Sequence, residues 1–295
     1  MSLYISNSDA NGGWLVARVL VLVIAMLIFY WYIVATFNLN AVLAETNANS
    51  GLIRLQRLRD ADAPVSAIAG SSMIARLNEN VIFDAMNSKP INMGIDGGNS
   101  LYATHKIVDS GNIVKILVIE ANTIMQKPSE NMNSLEYAEG ALDYKLSKYV
   151  PLLKRKYRPV SLLYNALKLY KDNRNPEVVI NRGAMDAIQM EFFTFQIEFD
   201  NDELEILNQW VDLIKKLQAG KTQLLLVMLP DGSPERINEY RFGKKLAAKC
   251  NLPFLDLKQQ LSDLPLVYSD GRHLTYQSAN IVSYAIRSAI EGRGL

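Results

Sequence analysis

Two short segments of this sequence contain serine, histidine and aspartate, three residue types that together can activate a hydroxyl group as a nucleophile. In the segment SDGRHLT, Asp270 precedes His273 by three residues, and in the segment AGSSM, Ser71 and Ser72 follow a glycine. A serine hydroxyl is a poor nucleophile at neutral pH, so it needs a histidine base, and the histidine needs a carboxylate that fixes its tautomer. Because the chain contains only one other histidine, His105, the two segments favour a site built from serine, histidine and aspartate.

The pattern of apolar residues predicts the elements that bring these segments together. Short apolar runs alternate with helical stretches, which is typical of a parallel sheet covered by helices on both faces. The predicted strands are Val65–Ala69, Pro90–Met93, Val114–Ile119, Gln223–Leu229 and Pro253–Leu257. The predicted helices are Met73–Met86, Leu101–Ser110, Asp202–Ala219, Pro234–Lys249 and Thr275–Glu291. We therefore predict an α/β fold.

Polar and glycine-rich segments follow the first three predicted strands. They are residues 70–72 (GSS), 92–99 (NMGIDGGN) and 120–123 (EANT). Open α/β sheets bind ligands at the carboxyl ends of their strands, so we expect these segments to meet at one edge. Each segment alone has a simpler explanation, such as a helix N-cap or a tight turn. Their joint occurrence in this order favours a site, whereas His105 falls within a predicted helix and indicates a structural or surface role.

In order and context, these segments resemble the sequence blocks of the SGNH/GDSL hydrolase family. AIAGSSMIARL is similar to the first block, which implies Ser72 as the nucleophile. SDGRHLTYQSA is similar to the Asp-x-x-His block before the C-terminal helix, which implies Asp270 and His273 as the other members of a catalytic triad. The resemblance covers about residues 65–290, apart from one insertion, and implies a flavodoxin-like three-layer α/β/α SGNH domain.

The remaining two blocks of the family supply hydrogen-bond donors to the substrate oxyanion. INMGIDGGNS is similar to the second block and implies Gly97, in preference to Gly94, while LVIEANTI matches the third block in Asn122. The implied oxyanion hole consists of the Ser72 N–H, the Gly97 N–H and the Asn122 amide. Losing one donor of this kind costs roughly 3–4 kcal/mol of transition-state stabilisation.

The chain departs from the family pattern at three positions. Ser71 replaces the usual aspartate of the first block, Glu120 stands where glycine is common, and Thr123 replaces an aspartate. These departures indicate a divergent branch. Gly-Ser-Ser in an N-terminally anchored chain looks like the branch that works with membrane-bound O-acyltransferases and acylates cell-wall polymers or exopolysaccharides. The resemblance thus implies an acyl donor, a glycan acceptor and a possible membrane-bound O-acyltransferase partner.

Composition excludes several other classes of protein. The 295 residues carry a net charge of +1, which does not favour a nucleic-acid partner. A single cysteine, Cys250, excludes an intramolecular disulfide, and the sequence has no Cys/His cluster of the zinc type. We expect no cofactor and no metal. The absence of a Gly-x-Ser-x-Gly motif counts against an ordinary α/β-hydrolase.

An apolar segment near the N-terminus, Trp14–Phe37, carries one charge, Arg18, and is long enough to span a bilayer. A cleaved signal peptide is the alternative, with residues 41–44 as a cleavage site, but its apolar region would be shorter. We predict an uncleaved, single-pass anchor. The predicted organisation is a tail (1–13), a transmembrane helix (14–37), a juxtamembrane linker (38–63) and an SGNH hydrolase-like domain (64–295) with an insertion at 123–201.

Two features of the sequence predict opposite orientations of the anchor in the membrane. Arg54, Arg57 and Arg59 follow the span and lean toward a cytoplasmic domain, although the count is small. The resemblance to envelope acyltransferases implies a domain outside the cytoplasm, which is our expectation.

The insertion at 123–201 is far longer than an ordinary loop and has apolar residues that favour a helical subdomain. Its basic, tyrosine-rich part suits an anionic glycan, lipid headgroups or a membrane partner, or is only a solvated helix face.

The predicted function is acyl transfer through an acyl-serine intermediate, as an O-acetyl- or O-acyltransferase acting on a cell-surface polysaccharide. Hydrolysis by an esterase, deacetylase or lipase shares that intermediate and differs only in the group that attacks it. A non-catalytic membrane scaffold of a glycan-assembly complex is a further hypothesis. The sequence does not decide between transfer and hydrolysis.

Overall fold

The computed structural model describes residues 8–42, 44–127, 130–172, 178–179, 200–231 and 237–294. Its strands are β1 (Val65–Gly70), β2 (Lys89–Gly94), β3 (Val114–Glu120), β4 (Val178–Val179), β5 (Gln223–Met228), β6 (Phe254–Asp256) and β7 (Val267–Tyr268). Its α-helices are α1 (Ser8–Thr36), α2 (Asn47–Arg59), α3 (Glu79–Ile82), α4 (Ser100–Asp109), α5 (Glu130–Gly140), α6 (Leu142–Leu146), α7 (Pro159–Asp172), α8 (Asn201–Ala219), α9 (Ile237–Cys250), α10 (Leu257–Gln260) and α11 (Tyr276–Glu291).

Within the described residues, five parallel strands form the central sheet in the order β2-β1-β3-β5-β6. Numbered along the chain within this sheet, the order is 2-1-3-4-5, which is the flavodoxin-like arrangement. β4 and β7 form a separate antiparallel pair. The predicted α/β class and the flavodoxin-like parallel sheet are therefore confirmed, and the predicted strands differ from the observed ones only at their ends.

Helices cover both faces of the sheet because its strands are apolar on both sides. On β1, Ala67 and Ala69 join a core that also includes α2, α4, α8 and α9, whereas Ile68 faces a second core with α3, α10 and α11. Trp210 of α8 is a fully buried side chain of the first core, and Val282 of α11 is fully buried in the second. This is the predicted three-layer α/β/α architecture.

The segment after Ser72 differs from the helix predicted over 73–86. It forms a short 3₁₀ helix, Ile74–Arg76, followed by extended Leu77 and then α3. Leu77 ends the 3₁₀ helix, and Asn78 begins α3, because its side chain accepts hydrogen bonds from the backbone N–H groups of Asn80 and Val81. Capping by the asparagine side chain therefore competes with a continuous helix.

The N-terminal helix α1 contains Gly13–Thr36, a stretch of mean hydropathy 2.5 that is long and apolar enough to cross a membrane, by length and composition. Only 6% of its most apolar window is buried by the rest of the chain. At its C-terminal end, however, Trp31 packs edge-to-face on Tyr157 with 5.6 Å between ring centroids, and the Tyr30 hydroxyl donates to the Tyr157 carbonyl. Two aromatic residues at the end of the apolar helix thus contact the domain.

The segment expected to be a juxtamembrane linker contains a helix, α2, that packs into the first core. Leu52, Leu55 and Leu58 are buried there, together with the polar side chains of Arg54 and Gln56. Residues 47–59 therefore belong structurally with the α/β domain, although they were predicted to precede it. Their arginines obscure the apolar periodicity that identifies a core helix.

The insertion is helical over much of its described part, where it contains α5, α6 and α7. Residues 173–177 and 180–199 of the predicted insertion lie outside the described residues. Two of its basic residues bind within the protein: Lys154 pairs with Asp60 at 2.7 Å, and buried Arg155 pairs with Asp143 at 2.8 Å. The first pair joins the insertion to the end of α2, the second lies within the insertion, and neither charge is part of an open basic surface.

Candidate active site

The structure brings together the three side chains of the expected triad, although Ser72 lies 201 residues before His273 in the chain. Ser72 Oγ lies 2.6 Å from His273 Nε2, and His273 Nδ1 lies 2.6 Å from Asp270 Oδ2. Ser72 is partly buried just beyond the end of β1, and His273 lies just before α11. The histidine ring therefore bridges a serine hydroxyl and a carboxylate through its two different nitrogens.

The turn before α11 fixes the orientation of Asp270 by backbone contacts. Its Oδ1 accepts hydrogen bonds from the backbone N–H groups of His273 at 2.8 Å and Arg272 at 3.0 Å. Gly271 adopts a φ of +81°, a left-handed conformation in which other residues are strained. Thr275 then begins α11 by accepting a hydrogen bond from the Ser278 N–H. One carboxylate oxygen thus holds the turn and the other holds the imidazole.

The hydrogen bonds to Asp270 change its acidity. Partial burial raises the pKa of this carboxyl. Its hydrogen bonds with the backbone N–H and the ring of His273, and with the Arg272 N–H, lower the pKa by more, so the pKa of Asp270 is below its ordinary value. The carboxylate form, which can only accept hydrogen bonds, is thereby favoured beside His273 Nδ1. That arrangement leaves Nε2 to face Ser72 Oγ as the acceptor.

Glu120 at the end of β3 holds the turn that carries Ser72. Its carboxylate accepts hydrogen bonds from the Ser71 backbone N–H at 2.7 Å and from the Ser71 hydroxyl at 3.0 Å, and it is fully buried. Gly70 leaves room for it, because a Cβ atom at that position would come within 2.2 Å of the Glu120 carboxylate. The position before Ser72 is thus fixed by a carboxylate on the neighbouring strand.

The three departures from the family pattern belong to one hydrogen-bond network. Besides the bonds from Ser71 to the Glu120 carboxylate, the Ser100 hydroxyl donates to the Glu120 carbonyl at 2.6 Å and lies 2.8 Å from Thr123 Oγ1. In the sequence, Ser71, Glu120 and Thr123 are separate differences from that pattern. Their common position at the ends of β1 and β3 is the signal from which the network could have been predicted.

The candidate oxyanion donors lie at the carboxyl ends of β2 and β3. Gly97 adopts a φ of +72° in the turn before α4. The Gly94 N–H donates to Asn92 Oδ1 at 2.8 Å, and a Cβ at Gly94 would lie 2.2 Å from the Ala75 nitrogen. Gly94 is therefore engaged in packing between β2 and the segment after Ser72, which is consistent with the preference for Gly97.

Asn122 is completely buried and ties the end of β3 to the end of β5. Its Oδ1 accepts from the Leu229 N–H at 2.7 Å, and its Nδ2 donates to the Leu229 carbonyl at 3.0 Å. Its role in an oxyanion hole stays a prediction. His105 lies in the middle of α4, as expected for a residue outside the site.

Comparisons with known proteins give few matches. No family model matches the chain, and no curated protein matches it. Among solved structures, the chain is similar to a Bacteroides fragilis NCTC 9343 protein assigned as an acylhydrolase, with 14% identity and a TM-score of 0.42. The match covers 81% of this chain and 94% of that protein. This similarity does not assign a family, so the roles of the site residues depend on the geometry described above.

Proposed function

We propose that the protein is a membrane-anchored serine acyl-transfer enzyme in which Ser72 is the nucleophile. The observation that carries this proposal is the continuous contact from Ser72 Oγ to His273 Nε2 and from His273 Nδ1 to Asp270, with both separations at 2.6 Å. A nucleophile within hydrogen-bond reach of a base, and a base oriented by a third group, is the arrangement that activates a hydroxyl.

The proposed reaction proceeds in two steps. In the first, His273 Nε2 takes the proton of Ser72 Oγ as the oxygen attacks the carbonyl carbon of an acyl ester. The tetrahedral oxyanion accepts hydrogen bonds from the Ser72 N–H, the Gly97 N–H and the Asn122 amide. The bond to the leaving alcohol or thiol then breaks, the leaving group takes the proton from His273, and an acyl-serine remains.

In the second step, a hydroxyl group attacks the acyl-serine. His273 removes its proton as the new bond forms, and Ser72 Oγ regains a proton from His273 when the acyl group leaves. If the attacking group is a sugar hydroxyl, the product is an O-acylated glycan, and if it is water, the product is a free acid. Both outcomes use the same residues.

We favour transfer to a cell-surface polysaccharide over hydrolysis, with the domain outside the cytoplasm and the acyl group delivered by a membrane-bound partner. The apolar helix α1 supports a membrane location, and the resemblance of the sequence blocks supports the branch of the family. The observation that favours an esterase as the second candidate is that Ser72 is only partly buried, since an exposed acyl-serine is open to water.

Substitution of Ser72 by alanine tests the proposal directly. A fluorophosphonate probe should label the wild-type protein and not Ser72→Ala, and hydrolysis of a small acetyl ester should fall by about 10³-fold or more. The free energy of unfolding should change by less than about 0.5 kcal/mol, because the substitution removes only a hydroxyl group just beyond the end of a strand. Ser288→Ala, on the exposed face of α11, is the matched control. Normal turnover by Ser72→Ala would show that Ser72 is not the nucleophile.

A further inference from the structure

A cavity of about 260 Å³ lies between α2, the segment after Ser72 and the start of α11. Its wall includes Arg54 and Arg57 of α2, Arg76 of the 3₁₀ helix, and Tyr276 of α11. Asn78, Asn92, Asn165 and Asn280 also line it. The charged groups of the lining are therefore predominantly arginines.

Arg54 is the most deeply buried of these arginines, with 4% of its surface exposed. Its Nη1 donates to Asn92 Oδ1 at 3.0 Å, and no carboxylate of the described residues forms an ion pair with it. Burial lowers the pKa of Arg54, while the more distant carboxylates of Asp96 and Glu79 act in the opposite direction. A buried guanidinium bonded to a neutral amide is stabilised when an anion with good hydrogen-bond geometry comes into contact with it.

The remaining charged residues of the cavity wall leave the cavity with a net positive charge. Arg57 and Glu79 pair at 2.9 Å and neutralise each other. Arg76 makes no ion pair within the described part of the chain, and its guanidinium lies 5.8 Å from the centre of the Tyr276 ring. Two arginines, Arg54 and Arg76, thus face the cavity without a carboxylate partner from the described residues.

The cavity is next to the segments that carry the proposed nucleophile and base. Arg76 follows Ser72 by four residues, and Tyr276 follows His273 by three. Asn92 fixes this wall, because its Nδ2 donates to the carbonyls of Ile74 and Leu77, both at 3.0 Å. A molecule bound in the cavity would therefore lie beside the expected path of a substrate to Ser72.

We infer that this cavity binds an acidic sugar residue of the acceptor glycan, whose carboxylate faces Arg54 and Arg76. Guanidinium groups bind carboxylates through paired hydrogen bonds, and the Tyr276 ring offers a flat surface for a sugar face. The inference rests on the proposed function, because it takes the acceptor to be a glycan. It adds that the glycan is anionic and that its charge is recognised here.

Direct binding tests the inference without requiring catalysis. Full-length protein in lipid nanodiscs is titrated by calorimetry with a short oligouronate and with a neutral oligosaccharide of the same length, with no acyl donor present. The wild-type protein should bind the oligouronate more tightly, and Arg76→Gln and Arg54→Gln should each weaken that binding by about tenfold or more. Arg293→Gln, an exposed position near the C-terminus, removes the same charge and should have no effect.

The variant at Arg76 keeps the test valid if buried Arg54→Gln does not fold. Equal binding of the two sugars by the wild-type protein, or equal effects of Arg76→Gln and Arg293→Gln, would overturn the inference.

A lipid phosphate is the other anion available near the membrane. If Arg76→Gln weakens binding to phosphatidylglycerol nanodiscs relative to phosphatidylcholine and leaves oligouronate binding unchanged, the site binds lipid and the inference is wrong. Failure of the proposed function gives a different result, namely no fluorophosphonate labelling of Ser72.

Discussion

Ser71 and Glu120 show at the scale of single residues how this chain places its proposed nucleophile. The related pattern has an aspartate before the nucleophilic serine and a glycine at the end of the third strand, whereas this chain has serine and glutamate. The carboxylate of Glu120 reaches both the N–H and the hydroxyl of Ser71 from the neighbouring strand. Compared with that pattern, the acidic group stands at the end of the third strand instead of the first, so we expect the two differences to compensate each other.

An exchange of the two residues tests this compensation. Ser71→Asp alone would place a second carboxylate against Glu120, and Glu120→Gly alone would leave the Ser71 N–H without that acceptor. The double variant restores one carboxylate between the strands, so it should be more active and more stable than either single variant. We expect a coupling energy of about 1–3 kcal/mol in thermal unfolding, with turnover of an acetyl ester as the second measurement. Additive effects of the two changes would mean that the residues act independently.

Sequence predicted the triad residues because each stands next to a recognisable strand or helix end. It did not predict the environment of Arg54, since nothing local to α2 shows that residue 92 on a different element will accept its hydrogen bond. Likewise, Asn122 was identified by its position after β3, but its bonds to Leu229 depend on the pairing of β3 with β5. Residue types and order can be read along the chain, whereas partners from distant segments require the fold.

At the scale of elements, α2 shows why a core helix was interpreted as a linker. Its apolar residues are interrupted by three arginines and a glutamine, which lower its average hydrophobicity. The structure satisfies these polar groups within the protein: Gln56 donates to Ser147, and Arg54 donates to Asn92. Partners of this kind come from the insertion and from β2, so the sequence of α2 alone does not reveal them.

The C-terminal end of α2 leads to a prediction on pH and stability. Burial raises the pKa of Asp60, but its bonds with Arg59 and Lys154 outweigh this and lower the pKa below its ordinary value. A depressed carboxyl pKa contributes stability that is present above the unfolded pKa of about 3.9 and is lost as the pH falls through the lower, folded value. Asp60→Asn should therefore destabilise the protein at neutral pH, by a free energy on the order of 1 kcal/mol.

The difference between Asp60→Asn and the wild-type protein should shrink as the pH is lowered below about 4. Thermal unfolding in one detergent across this range measures it, and Asp109→Asn, at the exposed end of α4, is the control. A difference in melting temperature that is independent of pH would indicate that the Asp60 charge does not contribute.

At the scale of the whole molecule, the order of strands and helices was predictable because the chain alternates between them with few interruptions. The strands of the central sheet pair in the order β2-β1-β3-β5-β6. The path of the insertion was not predictable, because its contacts are made with distant parts. Lys156 accepts a hydrogen bond from Ala41 through its carbonyl, and Tyr157 contacts the end of α1. The insertion thus connects the apolar helix to the domain that carries the proposed active site.

The structure shows how much weight the arginines after the span carry for the orientation of the domain relative to the membrane. Arg54, Arg57 and Arg59 all lie in α2, a folded part of the domain, where each is bonded to another side chain. Positive charges set orientation mainly in short loops close to a span, and large domains cross the membrane largely regardless of charge. Arg54 lies at the edge of the window of roughly 15–20 residues in which such charges count. These three arginines are therefore weak signals for a cytoplasmic domain.

We expect the domain after α1 to lie outside the cytoplasm, where a cell-surface glycan is available to Ser72. A reporter that is active only in the cytoplasm should be inactive when fused after Leu295, and one that is active only outside should be active there. The same pair fused before Met1 should give the opposite result, which controls for expression. A strong cytoplasmic signal at the C-terminus would place Ser72 on the other side of the membrane, and the acceptor would then have to be an intracellular molecule or a lipid-linked precursor.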